Sequence, residues 1–449
     1  MAQNDLTVGR VPVTLYKLTA PMIMGVSSSI VVQALEIGFI GQLGTRYVAA
    51  ITFTFPLTMI LSSIALGIGI GTSSIIARSV GGGDQNDARQ LGTHSLILVA
   101  FTIAILSFIG WLTIDPVFLA LGAPPDMLPL IHSYLDIFYP STVLLTSTMT
   151  AGSIMRASGQ ANIPGVVMTL GALFNLALDP ILIFGWFGFP RLELAGAAIA
   201  VMITRLATTA VLFYYILDSG LLKIHAPFAQ FWASAKRIMV IGLPAVATQL
   251  IGPVSGTIIT RLLAGHGEIV VAGFGVATRI EAVSIMILFA LSGSIGPFVG
   301  QNWGAGQRER VRQGVRVAYQ VSLGWGLFAA LIMVLYGDTI AAWADDEPSV
   351  VLIAALYLTI VPWSYGMWGV LMMSSASFNA LGKPLPSTAL SFTRMFIIYI
   401  PMAMSFNHLY GYQGIFIATT VTNIVMGLAG YWWFRARFFP FTTHTGEPR

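Results

Sequence analysis

The segment Phe174–Pro180 reads Phe-Asn-Leu-Ala-Leu-Asp-Pro and lies inside an otherwise apolar stretch. Asn175 and Asp179 are four residues apart, so on a helix they stack on a single face. Pro180 has no N–H to donate to the Leu176 carbonyl, which leaves that acceptor free and predicts a kink. A carboxylate, an amide and a loosened carbonyl at membrane depth are costly, and together they suit a proton or a small cation. One other acid lies equally deep in the first half of the chain, Glu36. Counted from the ends of their apolar stretches, both acids fall in the outer half, so the expectation is one shared site. Two carboxylates held together in hydrocarbon can keep a proton between them and release it when the site opens to a different phase. With Asn175, the Leu176 carbonyl and Gln33 they could instead gather oxygens around Na⁺. The competing reading is a satisfied hydrogen-bond network that braces the kink.

Other polar residues fall inside apolar stretches. Asp136, near Tyr139 and Pro140, either joins the cation site or reaches the outer interface. Arg279 and Glu281 are two apart and do not face each other on a helix, so their partners are expected on other helices. Structural pairing is one role for them, gating or substrate attraction another. Arg205 and Arg394 are the remaining deep bases, and each needs a carboxylate or carbonyl partner. A cavity lined by methionine and aromatic side chains would suit flat cations, with Met155, Met286, Met372, Met373 and Tyr139 as candidates. Gly67-Ile-Gly-Ile-Gly71 is not followed by the Lys-Ser/Thr of a phosphate loop, so its small residues are read as permitting close helix approach. The six His residues show no ligand spacing, and no Cys is present for thiol or cluster chemistry.

These residues must be positioned by membrane-spanning helices. The 449 residues are 56% hydrophobic and 9% charged, against about 25% charged in soluble proteins. Apolar runs of about 20 residues or more recur along the whole chain, each able to cross a bilayer core as a helix. No alternating pattern of about 10-residue segments argues for an outer-membrane barrel. The expected fold is an all-α polytopic membrane protein with twelve spans, near 14–39, 48–77, 91–113, 128–153, 163–187, 195–217, 238–263, 271–299, 313–336, 350–374, 386–407 and 413–435. With the N-terminus inside, sixteen Lys and Arg fall on inner segments, from Arg10 to Arg449, and three outside, Arg46, Arg191 and Arg261. Both termini are therefore expected in the cytoplasm. Residues 1–13 carry no cleavable signal pattern.

Shifting the chain by 223 residues superposes Pro21 on Pro244, Gly44 on Gly267, Gly81 on Gly304, Arg89 on Arg312 and Gly159 on Gly382. After a five-residue gap, Gly196 matches Gly414 and Thr204 matches Thr422. Six spans are thus repeated, and an even number keeps both halves in the same orientation. The expected organisation is a six-helix bundle over 1–217, a cytoplasmic linker over 218–237 and a second six-helix bundle over 238–449. Aromatic and basic residues in the linker suggest either a short interfacial helix or an ordinary connection.

Taken together, these features resemble the multidrug and toxic compound extrusion (MATE) family over nearly the whole chain. The likeness rests on the twelve spans, Pro21, Glu36…Gly41-Gln-Leu-Gly44, Gly81-Gly-Gly83, Arg156-Ala-Ser-Gly-Gln160, Asn175…Asp179-Pro180, Arg279-Ile-Glu281 and Val299-Gly-Gln-Asn-Trp-Gly-Ala-Gly306. The resemblance implies two bundles around a central cavity, exporting amphipathic compounds in exchange for inward-moving H⁺ or Na⁺. It places the family's N-lobe cation site on Glu36, Asn175 and Asp179, to which the reading of the residues themselves adds Gln33, Asp136 and Tyr139 as possible neighbours. Two departures stand out. The first-helix acid, usually Asp, is Glu36, and the seventh span, where many members carry an acid, has none from Gln249 to Gly256.

The resulting expectation is a secondary antiporter in the bacterial inner membrane that exports amphipathic or cationic organic compounds. It would need no cofactor besides its coupling ion, no nucleic acid and no second subunit. A flippase for a lipid-linked precursor shares the architecture and would need a more basic cavity, for which Arg205, Arg279 and Arg394 are the deep candidates. An intramembrane enzyme would need a metal, prenyl-diphosphate or paired-Asp motif, and none is present in the sequence.

Overall fold

Long apolar runs separated by glycine-rich turns fold as long helices, because in hydrocarbon every backbone N–H must find its carbonyl within the segment. The computed structural model describes residues 5–223 and 225–438. Arg449, counted above among the inner bases, and the linker position Ile224 lie outside them.

The chain runs through α1 (Val11–Leu43), α2 (Thr45–Gly81) and α3 (Gln85–Leu112). A short helix, Ile114–Ala120, then leads to α4 (Leu128–Ala157), α5 (Asn162–Phe184) and α6 (Glu193–Asp218). The second set is α7 (Phe231–Ala264), α8 (Glu268–Gly304), α9 (Arg308–Ala344), α10 (Pro348–Ala380), α11 (Pro384–Tyr410) and α12 (Tyr412–Phe438). A turn of 3₁₀ helix at Pro362–Ser364 interrupts α10, and a π-helical stretch, Thr393–Tyr399, lies inside α11. No strand occurs among the described residues. The fold is an all-α polytopic membrane protein of twelve transmembrane helices with two lobes.

Eleven of these helices are long and apolar enough to cross a bilayer. The twelfth, α4, has 30 residues and so is about 45 Å long, yet it carries His132, Asp136 and a run of hydroxyls. Its hydroxyl-bearing face is enclosed by α2, α3 and α6, while His132 is partly exposed and Asp136 exposed near its start. Its buried Ser141, Thr142, Thr146 and Thr150 donate to carbonyls three or four residues back, which satisfies them without water.

By contacts the chain forms two units. One takes the chain as far as Pro253 together with Gly300–Gly306, and the other takes Val254–Val299 and the chain from Gln307 on. Within the first unit the glycines of α2 serve close approach. A Cβ on Gly67 would lie 2.4 Å from Val246 of α7, and one on Gly71 would lie 2.6 Å from the Ile238 carbonyl.

The segment after α6 departs from a separate interfacial helix. Phe231–Arg237 form the first turns of α7, preceded by a 3₁₀ turn at Phe228–Gln230. Hydrogen bonds fasten this region to α3: Arg237 donates to Asp87 at 2.7 and 3.0 Å, and Lys223 N donates to Thr93 Oγ1 at 3.0 Å.

Candidate functional site

The site is built on α5. Its helix continues through Pro180 and ends at Gly185, whose φ of 77° is the left-handed stop that glycine adopts easily. Asn175 is 7% exposed and Asp179 fully buried. The Asn175 amide Nδ2 donates to Asp179 Oδ2 at 3.0 Å. The other oxygen of each side chain, Asn175 Oδ1 and Asp179 Oδ1, is buried and receives no hydrogen bond. Buried acceptors are nearly always satisfied, and these two bare oxygens stand about one helical turn apart on one face of α5.

The first helix supplies the second acid. α1 packs along α5 more extensively than along any other helix of its unit, and a Cβ on Gly165 would lie 2.4 Å from the Pro21 carbonyl. This contact brings the half-buried Glu36 into electrostatic interaction with Asp179, Arg205 and Tyr134. Arg205, from α6, is braced by α4. Its Nη1 donates to Ser141 Oγ at 2.7 Å, and its guanidinium carbon lies 4.6 Å from the Phe138 ring centre. Four helices thus contribute, α1, α4, α5 and α6. Two carboxylates, an amide oxygen and a released backbone carbonyl make a donor set that can take a proton or an oxygen-ligated cation.

Sequence reasoning did not single out Tyr134, Phe138 and Ser141. They form an i, i+4, i+7 stripe on α4, facing one way. A signal for two of them exists in the repeat, since the 223-residue shift carries Tyr134 to Tyr357 and Ser141 to Ser364. The second unit reuses the bracing. With the five-residue gap Arg205 aligns with Asn423, and Asn423 Nδ2 donates to Ser364 Oγ at 3.0 Å, as Arg205 does to Ser141.

The other candidates are distributed elsewhere. Gln33 lies one turn before Glu36 on α1 and is exposed. Asp136 is joined not to Asp179 but to the ends of α3 and α4. Trp111 Nε1 donates to its Oδ1 at 2.9 Å, and His132 Nδ1 lies 3.3 Å from the same oxygen, with His132 Nε2 2.9 Å from Asp115. Tyr139 packs on α3, where a Cβ on Gly110 would lie 2.7 Å from its ring. Asp136 and Tyr139 stand two and five residues beyond Tyr134, which turns them onto other faces of the helix.

Met155 is fully buried in the apolar core of the first unit, among Ile75, Leu91 and Ile154. Met373 is also fully buried, while Met286 and Met372 are partly so. Met155 and Met373 are thus enclosed by neighbouring side chains in this structure.

In the second unit, Glu281 accepts a hydrogen bond from Tyr357 at 2.7 Å and interacts with the charge of Arg394. Arg394 donates to Asn423 Oδ1 from Nε at 3.2 Å and Nη2 at 2.9 Å, and lies 5.3 Å from the Trp368 ring centre. Arg279 is exposed.

Comparison with known proteins agrees with this geometry. A family model, MatE, matches residues 21–181 and again 244–405, two matches whose starts are separated by the repeat length found above. The FAD transporter of Shewanella oneidensis is 34% identical over 95% of this chain and 94% of its own. The multidrug export protein MepA of Staphylococcus aureus is 24% identical over 91% of this chain and 90% of its own. The crystal structure of the Vibrio cholerae MATE transporter VcmN in the bent form superposes with a TM-score of 0.90 at 32% identity, covering 95% of this chain and 96% of that one. With most of its length matched by the family model and a relative above 30% identity along nearly all of it, the chain belongs to the MatE family of MATE transporters.

Proposed function

We propose that this transporter is a secondary antiporter that exports amphipathic organic compounds in exchange for H⁺ or Na⁺, with the ion taken up at Glu36, Asn175 and Asp179. The observation that carries this reading is the pair of buried, unsatisfied oxygens on Asn175 and Asp179 beside a second carboxylate. What favours an ion over a structural network is that the two oxygens lie on one helix face with that carboxylate in reach of their charge. In this reading the chain works as two bundles, 1–217 and 238–449, joined by 218–237, with both termini in the cytoplasm. Ion and cargo must prefer different conformations, because a ligand that binds both states equally shifts nothing. Arrival of the ion from outside would relax the Asn175–Asp179 face and bend α5 at Pro180, releasing cargo outward.

The test is efflux of an ethidium-like dye from energised vesicles carrying Asp179→Asn. Asn keeps the shape of a protonated Asp but cannot give up the charge, so coupled export should be lost while the protein remains folded. Dye leaving at the normal rate would sink the site assignment.

A second reading concerns cargo. The Shewanella relative is named an FAD transporter, and a flavin dinucleotide is anionic, unlike a cationic dye. FAD moving in the same vesicles, with ethidium left behind, would favour it. The lipid-linked flippase draws less support, because Arg205 and Arg394 are already held by Ser141 and Asn423.

A further inference from the structure

Ahead of α1, the segment Asp5–Gly9 is laid against the first unit as a strap. Leu6 is 2% exposed, and both of its backbone polar groups are held by buried side chains at the end of α8. Its N–H donates to Gln301 Oε1 at 3.2 Å, and its carbonyl accepts from Asn302 Nδ2 at 3.1 Å. Gln301 is 1% exposed and Asn302 fully buried. The other end of the Gln301 amide, Nε2, donates to the Ala157 carbonyl at the end of α4, at 2.7 Å. Asp5 shapes the strap by accepting from Thr7 N at 2.8 Å. Gly300–Gly306 belong to the first unit, so the strap, the last turns of α8 and the end of α4 form one packed corner.

Helix ends that the repeat makes equivalent meet here. Gly81 and Gly304 correspond under the 223-residue shift, as do Arg78 and Gln301. A Cβ on Gly81 would lie 1.9 Å from the Gln301 carbonyl, and one on Gly304 would lie 2.2 Å from the Arg78 carbonyl. The ends of α2 and α8 therefore pack backbone to backbone, with no side chain between them. Their neighbouring side chains have diverged. Arg78 Nε donates within its own helix to the Ser74 carbonyl at 3.2 Å, and Ser79 Oγ donates to Asp87 at 2.7 Å. Gln301 and Asn302, their counterparts, instead read the backbone of Leu6.

We propose that Asp5–Gly9 is an inner latch, which fastens the last turns of α8 to α4 and lets go when this corner opens to the cytoplasm. If the strap leaves, a buried acceptor on Gln301 and a buried donor on Asn302 both lose Leu6. Such a loss is costly unless water takes the vacated place. Release of the strap and entry of water at the corner are therefore one event, and the burial of the Leu6 side chain opposes both. The latch rests on the antiporter reading given above, in which the inner face opens in every cycle. It also rests on the orientation proposed from the Lys and Arg asymmetry, which puts these helix ends inside.

The chain has no cysteine, so introduced thiols are the only ones a reagent meets. The first arm places Ser158→Cys beside Ala157, at a position 2% exposed, and treats inside-out vesicles with an impermeant maleimide. Adding Leu6→Ser should speed labelling about tenfold, because the apolar burial that holds the strap is lost. Ser107→Cys, buried toward the far end of α3, should change by less than about twofold in the same background. An unchanged rate at Ser158→Cys overturns the proposal, and an equal rise at Ser107→Cys overturns it in favour of general loosening. The second arm bridges Thr7→Cys on the strap to Ala305→Cys, exposed just beyond α8, with a short bis-methanethiosulfonate. Ethidium export should fall about tenfold and return on reduction, while each single variant stays within about twofold. Full export by the bridged protein would mean that the strap never lets go, and overturns the latch. Should the unbridged protein export no dye, the antiporter reading fails, while the labelling arm still decides the latch.

Discussion

At Asp179, one carboxylate oxygen takes a hydrogen bond from Asn175 while the other, equally buried, takes none. An amide donor favours the charged acid, and the bare oxygen is the one that the proposed proton or cation would meet. Asn175→Leu removes the donor and the amide oxygen together. Coupled efflux should fall at least tenfold with little change in expression, and dye transport normalised to purified protein checks it. A normal rate would show that Asn175 only fills space. Ser141→Ala makes a different demand. It removes the acceptor that holds Arg205 Nη1 at 2.7 Å, and a hydrogen bond to a charged group is worth about 1.5–3 kcal/mol. The thermal unfolding midpoint in detergent should drop by several degrees, with partial loss of efflux. A midpoint unchanged within a degree would mean that the Phe138 face alone braces the arginine.

At the scale of elements, proline and glycine placement explains both what the sequence makes legible and what it hides. The spacing of Asn175, Asp179 and Pro180 is readable because an i, i+4 polar pair in an apolar run has few bland explanations. Glu36 is readable as the lone acid of its span. Tyr134 is not, because a tyrosine in a helix already rich in hydroxyls carries no distinguishing mark until α6 and α1 are packed against it. The polarity of α4 likewise points to enclosure only once its three neighbours are known. The start of α7 is hidden because Trp232, Lys236 and Arg237 read as interface residues, although they continue one helix.

Two predictions belong to this scale. Pro180→Ala restores an N–H for the Leu176 carbonyl and stiffens α5 against bending there. Dye affinity should hold within threefold while turnover drops severalfold, and equal turnover would remove Pro180 from the cycle. Gly67→Val drives a side chain into the Val246 backbone at 2.4–2.6 Å, an overpacking cost of about 1–3 kcal/mol. It should lower the unfolding midpoint whatever it does to transport, and an unchanged midpoint would show that α2 and α7 separate at no cost.

The whole molecule is a duplicated chain whose halves have kept the same bracing and changed the charges. In the first, Ser141 on α4 meets Arg205 on α6 and the nearby acids are Glu36 and Asp179. In the second, Ser364 on α10 meets Asn423 on α12, and the single acid, Glu281, has a tyrosine hydroxyl and the charge of Arg394 for company. Glu281 is compensated by the charge of Arg394, and Glu36 by that of Arg205, whereas the charge acting on Asp179 is another carboxylate, Glu36, and an acid so placed gains most from an arriving cation. Ion coupling should therefore reside in one half only. In vesicles energised by a pH gradient alone or a Na⁺ gradient alone, Asp179→Asn should abolish whichever gradient drives export. Glu281→Gln should lower stability yet leave the ratio of ions to cargo unchanged, as read from the gradient at which net transport reverses. A reversal point that moves with Glu281→Gln and stays put with Asp179→Asn would transfer the coupling site to the second half and leave the bare oxygens on α5 without a role.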